Sequence, residues 1–137
     1  MNLKKRSQIV LTAVFFVLLA PAGYAQPYSE VYVFGESFVD VGNVKAAFAS
    51  FGFDFPPSPP YSEGRHCNGP VFPEVIADNL ELGPVEASVT GGTNYAYGGA
   101  RSVVDVLFLG FIPVPSVRSQ IEDYLVDAGG VADPEAL

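Results

Sequence analysis

From Val31 to Gly35 the chain is apolar almost throughout. A short run of this kind predicts a strand covered on both faces. Val41 to Phe51 has helical composition and stops at Gly52, and the next stretch, FPPSPPYSEGRHCNGP, holds five of the twelve prolines and predicts a loop. Val71, Val75, Ile76, Asn79 and Leu80 then approximate one face of a helix, with Glu74 and Asp78 facing out. Pro73 fits only a first turn, and Gly83 stops the pattern. Thr93 to Tyr97 alternates polar and aromatic residues before GGAR, which predicts a second strand ending in a glycine turn. VVDVLFLGFIPVP predicts a covered loop or short strand. Val117, Ile121, Tyr124, Leu125 and Ala128 mark a last helix face, with Ser116 as N-cap and Gly129 as stop. The order strand, helix, helix, strand, helix predicts an α/β domain with a parallel sheet. Two strands do not complete such a domain, and ADPEAL should lead into another.

The first residues change the picture of where this domain lies. Lys4, Lys5 and Arg6 precede an apolar run from Ile9 to Ala20, and PAGYA follows. That is the layout of a secretory signal peptide, residues 1–25, with cleavage near Ala25 and a domain over 26–137. Twelve apolar residues make about 18 Å of helix, too short for a stable membrane span. The expected location is therefore outside the cytoplasm, periplasmic or extracellular. Beyond residue 25 four basic residues face fifteen acidic ones, a net of −11. Nucleic acid is not an expected partner, because that needs clustered Lys and Arg. Cys67 is the only cysteine, so no intramolecular disulfide forms, and with one histidine it is too few ligands for a structural zinc site.

Three features carry candidate chemistry. Ser37 follows the first strand at the carboxyl end, where α/β sheets place their sites, and a helix N-terminus behind it would offer N–H groups to an oxyanion. It could equally cap that helix. The adjacent glycines of GGTNYAYGGAR allow close backbone approach to a ligand, or simply make a tight turn. His66 is the only imidazole available as a base, but its proline-rich surroundings read as a surface loop.

Together these stretches resemble the GDSL (SGNH) family of serine ester hydrolases. VFGESFVDVGN is similar to the family's first block, with Ser37 at the nucleophile position. PPYSEGRHCNGPVFPEVIADNLEL resembles the stretch that follows it, and GGTNYAYGGAR the second block, which supplies an oxyanion-hole glycine. Gly99 best matches that glycine, with Gly98 its neighbour. The resemblance runs from Val31 to Leu137 and favours the nucleophile reading of Ser37 over the cap. It implies a three-layer αβα, flavodoxin-like SGNH-hydrolase fold, incomplete in this chain, and acyl transfer on a small-molecule or lipid ester. No metal or organic cofactor is implied. The oxyanion hole would comprise the Ser37 and Gly99 N–H groups. Glu36 stands where the family has Asp, Phe38 where it has Leu, and His66 does not match the catalytic histidine. The blocks that supply the oxyanion Asn, the catalytic Asp and the catalytic His are not found in residues 1–137. The expectation is an N-terminal portion without activity of its own, the alternative a non-catalytic exported remnant or binding module. The implied sheet order leaves one side of Val31–Gly35 open, so a poorly folded or aggregated fragment is expected.

Overall fold

The computed structural model describes residues 28–137; the expected leader, residues 1–25, lies outside them. The described residues contain three helices: α1 (Asn43–Ala49), α2 (Phe72–Asn79) and α3 (Val117–Asp127). A 3₁₀ turn covers Ser88–Thr90, and two strands, β1 (Val106–Phe108) and β2 (Ile112–Val114), form an antiparallel hairpin.

The two expected strands do run side by side and parallel, but as a single bridge between Val33 and Asn94 rather than a full ladder. The Val33 N–H donates to Thr93 O at 3.0 Å, Tyr95 N–H to Val33 O at 2.8 Å and Tyr97 N–H to Gly35 O at 3.2 Å. Asn94 also bridges Ala87 in parallel on its other side. Val31–Gly35 has a second neighbour too. Tyr32 N–H donates to Leu137 O at 3.0 Å and Leu137 N–H to Glu30 O at 2.9 Å. The side of this segment expected to be open is therefore paired near Glu30–Tyr32.

Alternation along the Val31–Phe34 stretch sets two faces. Val31 and Val33 are buried in one cluster with Val39, Val85, Ala96 and Ala77 of α2. Tyr32 and Phe34 point the other way, their rings 4.5 and 5.6 Å from Tyr124 of α3. Helices thus cover both faces of the extended segment, which is why its sequence is apolar at consecutive positions.

The helices depart from their expected bounds and faces. α1 starts two residues later than Val41 and ends at Ala49, because Gly42 (φ 146) stands at its N-cap. α2 begins at Phe72 with Pro73 in its first turn, as expected, but buries Pro73 and Ala77 while Val75 and Ile76 are exposed. Its Glu74 points to Arg65 instead of solvent, with Arg65 Nε donating to Glu74 Oε2 at 2.7 Å and Nη2 to Oε1 at 2.5 Å. α3 has Ser116 as N-cap, accepting from Ser119 N–H at 3.3 Å, yet its buried face centres on Gln120 and Tyr124. Ile121 stays 41% exposed. The face is turned by one position because Gln120 finds internal partners. VVDVLFLGFIPVP takes the short-strand form, one of the two expected, and makes a hairpin turning at Leu109 and Gly110 (φ 54 and 82); Ile112 and Val114 are buried, while Leu107, Leu109 and Phe111 are exposed.

The Arg65–Glu74 pair gives a pH dependence. Burial alone would raise the Glu74 carboxyl, but hydrogen bonds from Arg65 and from Val71 N–H outweigh it and hold it below its ordinary 4.5. A depressed carboxyl stabilises the fold above its ordinary value, and that contribution is lost as pH falls below 4.5. Glu74→Gln is expected to cost about 1–2 kcal/mol at pH 7, with the difference from the parent narrowing as pH falls below 4.5. Thermal unfolding at a series of pH values checks this; a pH-independent difference would contradict it.

Candidate active site around Ser37

Gly35 ends the extended segment at φ 153, where a Cβ would meet Val39 Cγ2 at 2.8 Å. The chain then turns: both Val39 and Asp40 N–H donate to Glu36 O, at 3.0 and 3.1 Å. Ser37 rides on this turn, half-buried, beside a Phe38 that is 82% exposed. Its Oγ donates to Glu36 Oε2, and Glu36 Oε1 accepts from Phe38 N–H at 3.3 Å. The longer acidic side chain at 36 thus folds back onto the hydroxyl that follows it.

Ser37 does not cap α1. Asp40 does, with Oδ1 accepting from Gly42 and Asn43 N–H at 2.8 Å each and Oδ2 from Val44 N–H at 3.2 Å. The expected N–H groups at the start of this helix are therefore engaged by Asp40 and do not face an oxyanion. Asp40 Oδ2 also accepts from Gly98 N–H at 2.8 Å. One carboxylate, fully buried, so ties the Ser37 turn, the start of α1 and the second glycine loop together. Burial pushes the Asp40 carboxyl up from its ordinary value, while its four backbone donors pull it down.

The Gly98–Gly99 loop is a four-residue turn closed by Ala100 N–H to Tyr97 O at 3.0 Å. Gly99, at φ 85, supplies the left-handed third position such a turn requires. Gly98 is needed for space: a Cβ there would lie 2.3 Å from His66 Nε2. Gly98 N–H is bonded to Asp40, whereas Gly99 N–H and Ser37 N–H have no hydrogen-bond partner among the described residues.

Two buried asparagines brace the same region. Asn43 Nδ2 donates to Asn94 O at 2.7 Å and Ala96 O at 2.9 Å, and Asn94 Nδ2 donates to Val39 O at 2.6 Å. Sequence reasoning passed over Asp40, Asn43, Asn94 and Gln120 as site residues. The signal present was three polar residues, Asp40, Asn43 and Asn94, flanking or interrupting otherwise apolar runs.

His66 is not a free surface residue. Its ring packs 5.6 Å from Phe55 and 6.1 Å from Tyr61, and its buried Nε2, against Gly98, has no hydrogen-bond partner among the described residues. An unpaired buried nitrogen costs free energy that an apolar side chain avoids. His66→Leu, which removes the nitrogen without pressing a larger ring against Gly98, is expected to stabilise the fold by about 1 kcal/mol, read as a higher Tm; a lower Tm would show that the imidazole has a partner. Among the described residues no cluster of His, Cys, Asp or Glu could hold a metal ion, and no helix is long and apolar enough to cross a membrane.

No protein-family model matches the chain. Curated proteins do. A GDSL esterase/lipase of Arabidopsis thaliana is 30% identical over 112 residues, covering 68% of this chain and 30% of the relative. A second from the same plant is 25% identical over 79% of this chain and 31% of its own length, and a third is 27% identical over 92% and 38%. The chain belongs to the GDSL family. It spans about a third of the length of the curated relatives it matches. Within this GDSL chain, the resemblance at the Ser37 and Gly98–Gly99 blocks falls on two loops that Asp40 joins.

Proposed function

We propose that the protein is an exported GDSL-type serine hydrolase acting on small-molecule or lipid esters, with Ser37 as nucleophile. Ser37 Oγ attacks the ester carbonyl carbon, the oxyanion accepts from the N–H groups of Ser37 and Gly99, the alcohol leaves, and water then releases the acid from the acyl-serine. The single observation that carries this reading is the Asp40 carboxylate, which links the Ser37 turn to the Gly98–Gly99 turn while leaving the Gly99 N–H unpaired among the described residues. That pattern favours Gly99 over Gly98 as the second donor. Helices packed on both faces of Val31–Phe34 support a three-layer αβα arrangement for the whole domain. Residues 1–25 act as the signal peptide in this reading, and the base is a histidine outside residues 1–137.

A second reading is a non-catalytic exported module on the same scaffold. It is favoured by two observations: the sole histidine faces Gly98, and the Ser37 hydroxyl is bonded to Glu36. Hydrolysis of p-nitrophenyl butyrate by the protein expressed from its complete reading frame separates the two. Turnover lost in Ser37→Ala supports the hydrolase; no turnover, or turnover unchanged by Ser37→Ala, overturns it.

A further inference from the structure

Gln120 lies on the second turn of α3, 1% exposed, and 85 positions from the glycine that precedes the Ser37 turn. A glutamine with a buried head group must find partners for its carbonyl and its amide. It finds them on one residue. Gly35 N–H donates to Gln120 Oε1 at 2.8 Å, and Gln120 Nε2 donates back to Gly35 O at 2.9 Å. The same Nε2 reaches Pro115 O at 3.2 Å, just before the helix, and the Gly35 carbonyl also accepts from Tyr97 N–H.

Gly35 can be held only through its backbone. It carries no side chain, its φ of 153 is one that L-residues rarely adopt, and Val39 Cγ2 fills the space beside it. Its two backbone groups are the only handles, and Gln120 takes both. Because Gly35 stands two residues before Ser37 and next to Glu36, whose carbonyl closes the turn, its peptide orientation sets where the serine N–H and Oγ point. Tyr97 N–H joins the same carbonyl, so the clamp also reaches the segment that runs into Gly98 and Gly99.

We propose that Gln120 is a positioning residue for the nucleophile turn, acting through the Gly35 peptide to align the Ser37 N–H and Oγ with the Gly99 N–H. This rests on the hydrolase reading for its kinetic consequence but not for its structural one. Two variants test it in the protein expressed from its complete reading frame. Gln120→Met keeps the volume and removes both bonds. Gln120→Glu keeps the acceptor, and donates to Gly35 O only when its carboxyl is protonated.

Amide exchange of the peptide spanning residues 33–38, followed by mass spectrometry, is expected to quicken at least tenfold in Gln120→Met. Exchange in the second half of α3 should stay within twofold of the parent. In Gln120→Glu the protection should return as pH falls, a trend the parent lacks. In ester hydrolysis, kcat should fall about 10- to 100-fold, as for a misplaced catalytic group, with KM within twofold. Unchanged exchange over 33–38 in both variants would overturn the clamp, whatever the activity. Quickened exchange with unchanged kcat in an active enzyme would overturn the positioning role. Parent protein without ester turnover would overturn the hydrolase reading, while the exchange measurement still decides the clamp. Should Gln120→Met unfold as a whole, Gln120→Glu at low and neutral pH decides both points.

Discussion

Ser37→Ala is expected to reduce ester hydrolysis by the protein from its complete reading frame by a factor on the order of 10⁶ in kcat, with little change in thermal stability. The size follows from the way a nucleophile and its base act as one unit, so that removing either removes most of the rate. Stability should barely move because, among the described residues, the hydroxyl makes one side-chain bond, to the neighbouring Glu36, and it caps no helix. The same logic gives a companion result for residues 1–137 expressed alone. Their only imidazole packs against Gly98 with its Nε2 buried, so it is not in position to take a proton from Ser37. Residues 1–137 should hydrolyse p-nitrophenyl butyrate no faster than their own Ser37→Ala variant. Measurable turnover that disappears in Ser37→Ala would mean that Glu36, the one group bonded to the serine hydroxyl, is able to serve as the base. Glu36→Gln would then abolish it as well.

Much of this arrangement was legible in the sequence, and the reason is local. The GESFVDVGN and NYAYGGAR stretches mark their turns with glycines that the backbone requires, at φ 153 for Gly35 and φ 85 for Gly99. The start of α2 was legible from Pro73 and the two ends of α3 from Ser116 and Gly129, residues whose roles depend only on their own neighbourhood. What escaped was set by partners far away in the chain. Gln120 reads as a polar position beside an apolar stripe until Gly35 is brought against it, and it then turns the inward face of α3 by one residue. Val75 and Ile76 read as core, yet the residues α2 buries are Pro73 and Ala77, and Ala77 packs in the cluster with Val31 and Val33. For VVDVLFLGFIPVP a short strand was one expected form, but its pairing as a hairpin was not legible. An apolar run such as Val103–Pro115 looks the same whether covered or exposed, and only its turn at Leu109–Gly110 fixes the pairing.

Asp40→Ala should be the most damaging single change to the fold, costing about 3–5 kcal/mol, because it strips the shared partner from a set of buried groups. Four backbone N–H groups would each lose an acceptor, those of Asn43 and Val44 buried and those of Gly42 and Gly98 part-buried. Each unpaired donor is worth about 1–3 kcal/mol, and partial relaxation of the loop keeps the total below the sum. Asp40→Asn should be milder at about 2 kcal/mol, since one oxygen still accepts while the amide opposes the remaining donors. The two variants also differ in how they touch the site. Asp40→Ala frees both the start of α1 and the Gly98–Gly99 turn, so ester turnover should fall even where the protein remains folded. The pH dependence carries a defined sign. Burial dominates and raises the Asp40 carboxyl above its ordinary 3.8, and a raised acid binds its proton more tightly in the folded chain. Its linked contribution therefore declines as pH rises from about 4 through the raised value, and Asp40→Asn should remove that slope. Chemical denaturation of parent and variants between pH 3 and 8 measures both effects. A loss under 1 kcal/mol in Asp40→Ala would show that the four donors have other acceptors, and the link between the Ser37 and Gly98–Gly99 turns would have to run through Asn43 and Asn94 instead.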